Sequence, residues 1–210
     1  MKRLKTDNYK TKMKVKYLFA SLLLMVTFGA YAQESAIVKK YGFKSAIATI
    51  NTELLGRTIE STAYVDNYGA QTSQVVEMNV PLKGNVKSAT IVRDGKSYTV
   101  NYTSKKIEVA DAIEQPDFLN PTAAEKEKYN MKELAEDSVL GKKCVVYILD
   151  TDYNGAPATM TVWIYKGYPM KSETDTGIFK VTTEVTSFEE NVDIPQDVLE
   201  IPDYKTKKKK

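Results

Sequence analysis

Histidine is absent from these 210 residues, and cysteine and tryptophan each occur once. A lone Cys144 closes no intramolecular disulfide, so an exported fold built from this chain must be held by its core. Without His, and with one Cys, the usual zinc and copper ligand sets are missing. The same absences remove the ordinary base for a Ser or Cys nucleophile. No GxSxG elbow, P-loop or dinucleotide fingerprint occurs. Paired carboxylates for glycoside cleavage remain formally open, but nothing in the spacing of the acids selects a pair. A hydrolase is therefore the least supported class. The expectation is a non-enzymatic chain with no cofactor and no metal.

Long hydrophobic runs are scarce too. The one apolar run, Tyr17 to Phe28, is shorter than the ~20 residues that span a bilayer. It follows Lys12, Lys14 and Lys16 and ends in Ala30-Tyr31-Ala32. A basic segment, an apolar segment and small residues two apart read as a secretory signal cleaved after Ala32. Residues 1–32 are assigned to that signal, which predicts an exported protein, periplasmic in a Gram-negative-type envelope or secreted, with no transmembrane span after cleavage. No Cys follows the run to accept an N-terminal lipid.

Charge is distributed unevenly. Residues 1–32 hold seven Lys or Arg and one acid, a net +6 within a whole-chain charge of +3, so the remainder is −3. Setting aside the five Lys of residues 205–210 leaves residues 33–204 at −8. An acidic body argues against nucleic acid, whose phosphates require a basic surface. The terminal Lys run reads as a solvated, disordered tail. Residues 33–204 read as a single domain, long enough for a real core.

What the chain does have is strand-forming sequence. From Gly141 to Glu190, four runs rich in Val, Ile, Thr, Tyr and Trp are joined by Asn154-Gly155, Lys166-Gly167 and Thr176-Gly177, the pattern of antiparallel hairpins. Met160, Val162 and Ile164 alternate with Thr161, Trp163 and Tyr165, which sets the register. Neither face is wholly polar, so both need some cover. Upstream, GFKSAIATINTELL, GRTIESTAYVDN, AQTSQVVEMNV, GNVKSATIVRDG and KSYTVNYTSK read as further strands, with Asp94-Gly95 as a two-residue turn. Between the two halves, Asn120-Pro121, then Thr122 and Glu125 in capping-box spacing, open a helix over about residues 121–137. Met131, Leu134, Ala135 and Val139 fall near one helical stripe. The count is nine or ten strands and one main helix, a mainly β chain with a helical insert.

These elements carry a resemblance. Tyr64-Val65-Asp66-Asn67-Tyr68-Gly69, Gly141-Lys142-Lys143-Cys144, the run from Val162 to Lys171, and the closing Ile194-Pro195 and Ile201-Pro202 occur in an order that resembles the outer-membrane lipoprotein-carrier (LolA-like) superfamily, including its uncharacterised exported branches. The resemblance covers nearly the whole mature chain. It implies a strongly curved, incomplete antiparallel barrel with a helix covering the concave face, and an activity of holding acyl chains or another apolar ligand between sheet and helix. The chain departs from a dedicated carrier in its short insert and its acidic body.

On this reading the cavity is lined by Val162, Trp163, Ile164 and Tyr165 of the central hairpin, Met131 and Leu134 of the helix, and Phe179 and Val181 of the next strand. Trp163 and Tyr165 admit two readings, aromatic pairing in the core or the mouth of a pocket. Cys144 reads as a small buried apolar side chain. Asp150, Asp152, Glu173 and Asp175 flank turns and read as solvated turn residues rather than a calcium site. The expected partner is an apolar small molecule or acyl chain. The alternative is a structural or interaction protein of the envelope, its sheet fully packed and an edge strand or tail as its contact.

Overall fold

Two-residue turns set the chain direction of the sheet. Asp94 and Gly95 both take positive φ, 52° and 71°, as do Lys166 and Gly167 at 49° and 83°. Such turns match the right-handed twist of the strands they join. The computed structural model describes residues 39–80, 84–153 and 155–208; the signal assigned to residues 1–32 lies outside them. Among the described residues there are thirteen strands and one α-helix. The first six strands are β1 (Ala46–Leu54), β2 (Arg57–Asp66), β3 (Gln71–Val80), β4 (Gly84–Arg93), β5 (Lys96–Asn101) and β6 (Lys106–Asp111). The helix α1 (Ala123–Lys128) is followed by the short strands β7 (Lys132–Glu133) and β8 (Asp137–Val139). Then come β9 (Lys142–Tyr153), β10 (Ala156–Tyr165), β11 (Tyr168–Asp175), β12 (Lys180–Glu190) and β13 (Lys205–Lys208).

All belong to one sheet in the order β13-β6-β5-β4-β3-β2-β1-β12-β11-β10-β9-β7, with β8 pairing β9 beside that path. The pairing is antiparallel except for β13, which runs parallel to β6. The sheet is open and curved, a mainly β fold with one helix, as the sequence implies. Register shifts between Thr49 and Ile50 and between Trp163 and Ile164 mark bulges, which sharpen local twist and bend the layer.

We call the face carrying Ile50 and Val162 the inner face. Its main cluster joins Tyr147, Leu149, Val162, Ile164, Met170 and Val185 to Ala46, Ala48, Ile50, Ala63 and Val65. Leu54, Tyr153, Ala158 and Val181 form a second cluster with Phe179 at one end. A third, of Ala89, Ile91, Val100 and Ile107, lies on the opposite face of β4–β6, where Ile201 and Tyr204 of the C-terminal segment pack on it. The apolar side of the layer therefore changes over between the two halves of the sheet.

Two expectations are corrected. The helix does not run over 121–137. Thr122 and Glu125 form the capping box as expected, but α1 ends after one and a half turns, at Tyr129 and the left-handed Asn130 (φ 46°). A helix of six residues with no buried side chain gains little from packing. The free edge of β9 offers backbone partners instead: Leu134 N–H donates to the Val146 carbonyl at 2.8 Å, and Asp137–Val139 pair with Lys142–Cys144. Beside the helix, the irregular chain packs on the sheet through buried Phe118 and Met131. Finally, Lys205–Lys208, read from composition as solvated tail, add β13 to the edge. Tyr204 packs on the third cluster just upstream and brings the tail alongside β6.

Candidate functional site

Strand alternation places the inner-face residues in rows. One row runs Tyr147, Val162, Ser172, Thr183, Thr52 across five neighbouring strands. Another runs Ala48, Ala63, Gln74, Thr90, Thr99 into the other half. On β9 and β10 this face is mostly hydrocarbon, and on β11 and β12 buried Ser172, Thr174 and Thr183 interrupt it. Phe118 lies over it, stacked on Tyr147 with ring centroids 6.3 Å apart. The insert is fastened at its other contacts by backbone geometry. Met131 N–H donates to the Lys126 carbonyl at 2.8 Å, and Asp150 N–H to the Tyr129 carbonyl at 2.8 Å. Leu119 abuts Gly167 at the tip of the β10–β11 hairpin. Among the described residues no second sheet and no long helix is laid over the inner face.

The eight residues expected to line a cavity do not form one group. Val162, Ile164 and Met131 meet in the main cluster. Trp163 and Tyr165 alternate to the other side of β10 and pack against the margin of that cluster. Trp163 Nε1 donates to Asp137 Oδ2 at 2.9 Å, and the Lys171 ammonium sits 4.5 Å over its ring. Tyr165 donates to Glu190 Oε1 at 2.9 Å. Val181 and Phe179 belong to the second cluster, at the end of the sheet. Leu134 is 46% exposed and touches the sheet through its backbone.

Glu190 organises the corner beside Tyr165. It accepts Lys166 Nζ at 2.8 Å and Lys142 Nζ at 3.4 Å as well as the Tyr165 hydroxyl. Burial alone would raise its carboxyl, but the hydrogen bonds from Lys166, Tyr165 and Lys142 hold it below the usual carboxylate value. Deeper in, Tyr168 is fully buried and burial pushes its hydroxyl well above the ordinary tyrosine value. Lys40 is shifted the other way. Burial lowers its ammonium to about 8, partly opposed by Asp117.

Cys144 is buried, its Sγ donates to the Lys142 carbonyl at 3.3 Å, and burial raises its thiol. Of the acids weighed for calcium, Asp152 accepts Gly155 N–H at 2.6 Å and Asp175 accepts Gly177 N–H at 2.8 Å in turns, while Asp150 accepts Asn130 Nδ2 at 3.2 Å and Glu173 pairs with Lys171 at 2.8 Å. Among the described residues, no three His, Cys, Asp or Glu converge as metal ligands. A groove of about 520 Å³ lies between Tyr64, Glu77, Lys87 and Tyr102 and the C-terminal Asp197 and Val198, with the Lys87–Glu77 ion pair at 2.8 Å along it.

Two inner-face residues that the sequence reading passed over are Gln74 and Thr90. They are paired across β3 and β4 and both are 2% exposed. The one sign of them was negative: AQTSQVVEMNV does not alternate cleanly, because its polar and apolar residues share both faces.

No family model matches the sequence, and no curated protein is detectably similar to it. Solved structures are similar in fold. An uncharacterized conserved protein from Thermus thermophilus superposes with a TM-score of 0.55 at 10% identity, over 82% of this chain and 94% of that one. MucB does so with a TM-score of 0.50 at 14% identity, over 80% of this chain and 60% of MucB. A putative outer membrane lipoprotein-sorting protein domain from Vibrio parahaemolyticus aligns at a TM-score of 0.38 and 13% identity, over 75% of this chain and 90% of that one. At such identities the likeness is one of fold. The chain has an open, curved sheet with one helix, a fold it shares with the Thermus protein and MucB.

Proposed function

We propose that this chain is an exported, non-enzymatic binding protein that shelters an apolar or lipid-like ligand on the inner face of its sheet. One observation supports this above the others. A single layer presents a mostly apolar inner face from β9 to β2, interrupted by Ser172, Thr174, Thr183 and Thr52, and among the described residues it is covered by the irregular chain carrying Phe118 and Met131 rather than by a second sheet. Two tightly packed sheets would satisfy each other, whereas here the apolar residues are buried under an irregular segment rather than a second sheet, a cover that an apolar guest would displace. Val162, Ile164 and Met131 are the residues that would line the occupied end. Trp163 and Tyr165 flank it from the far side of β10, and Phe179 and Val181 bound the sheet's other end.

The test is native mass spectrometry of protein purified from the cell envelope, followed by organic extraction. The expected result is a mature chain beginning at Gln33 with a co-purifying apolar molecule released by solvent, and uptake of the neutral dye N-phenyl-1-naphthylamine by the extracted protein. Protein that carries nothing and leaves the dye dark would refute the binding role.

A further inference from the structure

The inner face changes character along the sheet. On β9 and β10 it is largely apolar, with Ser172, Thr174 and Thr183 on β11 and β12, while on β3 and β4 it holds Thr72, Gln74 and Thr90, none more than 2% exposed. Gln74 and Thr90 stand directly opposite each other. The Gln74 amide is oriented by its neighbours. Its Nε2 donates to Ser61 Oγ at 2.9 Å, and Ser61 donates onward to the Ile50 carbonyl at 3.5 Å. Gln74 Oε1 is then buried with no donor, and Thr90 Oγ1 is buried with no partner. Turning the amide over would only exchange which of its polar atoms is left over. Buried polar atoms without partners cost free energy, and natural folds keep few of them. Two on one cross-strand pair, next to an apolar surface, are what a ligand's polar end would complete.

The surroundings specify that end. The inner-face neighbours of the pair in adjoining rows are Val76, Ser88, Thr72 and Val92, and in its own row Ala63 and Thr99. None is charged. A charged head would be desolvated there without a counter-ion. Gln74 Oε1 needs a donor, and the Thr90 hydroxyl serves as donor or acceptor. We propose that Gln74 and Thr90 recognise the uncharged, hydroxyl- or amide-bearing head of an amphipathic ligand whose hydrocarbon lies along β9–β12. This rests on the apolar-ligand reading above and adds to it the class of head group and the direction in which the ligand lies.

The experiment displaces N-phenyl-1-naphthylamine from the extracted mature protein with two probes of equal chain length, 1-monolauroylglycerol and methyl laurate. The glyceride is expected to bind about tenfold more tightly, the equivalent of one or two neutral hydrogen bonds. Thr90→Val and Gln74→Leu are each expected to narrow that ratio to under about threefold by weakening the glyceride alone. Methyl laurate affinity reports whether each variant is folded, and the wild-type comparison stands even if a variant is not. Equal binding of the two esters by the wild type overturns head-group recognition while leaving the apolar site in place. Unchanged glyceride affinity in folded variants also overturns it, since the two atoms then serve ordered water only. Failure of the dye and both esters to bind overturns the apolar reading and this inference together.

Discussion

Gly167 joins the β10–β11 hairpin, the lead-in chain and the insert, so its replacement tests how the cover is held. Its φ is +83°, and a Cβ there would lie under 3.0 Å from the Lys40 carbonyl oxygen and 3.0 Å from Leu119 Cβ. The first contact is with backbone, which no rotamer change relieves. The Gly42 N–H bond to the Lys166 carbonyl, 2.9 Å, fixes the same approach from the other side. Gly167→Ala therefore combines two costs. Positive φ on an L-residue costs ~1–2 kcal/mol, and forcing a methyl into a filled space costs ~1–3 kcal/mol more. Gly141→Ala is the control, since Gly141 has a φ of +70° with nothing within 4 Å of the new Cβ. It bears the first cost alone, and the loss of unfolded-chain freedom on replacing Gly is common to both variants. Urea unfolding should show Gly167→Ala less stable than Gly141→Ala by ~1–3 kcal/mol at unchanged m, or roughly 4–8 °C in Tm for a ~2 kcal/mol gap in a domain of this size. Amide exchange over residues 113–131 should quicken in the first variant only, because Leu119 is the insert's contact with that turn. Two variants within ~0.5 kcal/mol of each other, with unchanged exchange in the insert, would refute the close-packing argument.

Three further outcomes follow from the same contacts. Glu190→Gln should cost ~1–2 kcal/mol near pH 7, because the carboxylate accepts from Lys166, Lys142 and Tyr165. Its folded value lies below the ordinary one of 4.5, so that stabilisation is full above the ordinary value and is lost as pH falls through the folded one; an equal loss in urea melts at pH 7 and pH 3 would rule this out. Lys40, lowered by burial from 10.5 to about 8, binds fewer protons folded than unfolded between those values, so wild-type stability should rise across that window. Lys40→Met should then be the more stable by ~1 kcal/mol at pH 7, with the advantage fading by about pH 10 in thermal melts; a constant advantage across the range would contradict it. Met131→Ala should cost ~2–4 kcal/mol, as expected for a buried core side chain, whereas Leu134→Ala, at an exposed position, should fall within ~0.5 kcal/mol. Comparable losses, read by urea denaturation, would restore the longer amphipathic helix that the structure replaces with an edge strand.

What could be read from the sequence was local. Asp94-Gly95 and Lys166-Gly167 announce their turns because positive φ is a property of two residues, and Thr122 with Glu125 announces a helix start for the same reason. The Val162/Trp163/Ile164/Tyr165 alternation likewise survives intact in β10. What could not be read was competition between distant segments. Met131, Leu134 and Val139 fit a helical stripe, yet the open edge of β9 offers the backbone of residues 132–139 a ladder that a marginal helix cannot match. Lys205–Lys208 have poor strand composition, and pair with β6 only because Ile201 and Tyr204 are already seated on Ile91, Val100 and Ile107. Gln74 and Thr90 are ordinary polar residues until the register of β3 and β4 puts them opposite each other on the inner face. A binding role for them is a property of pairing, and no window of neighbouring residues contains it.

The change of apolar side within the sheet bears directly on function. If β3–β6 kept their large apolar residues on the same face as Ile50 and Val162, the C-terminal segment would have to fold across that face to cover them, filling the space a ligand needs. Instead Ile91, Val100 and Ile107 point outward, and Ile201 and Tyr204 cover them there, with Tyr204 edge-on to Tyr102 at 6.4 Å. The segment after β12 thus serves as second layer on the outside, and the inner face of β3 and β4 carries Thr72, Gln74 and Thr90 among Val76, Val86 and Val92. A fold intended only to fill its own core gains nothing from burying the unpaired Gln74 and Thr90 there, since Leu and Val in their places would pack without orphaned atoms. Their presence on the same face as Ile50 and Val162 is what distinguishes a receptor for the proposed amphipathic guest from a sheet that only fills its own core.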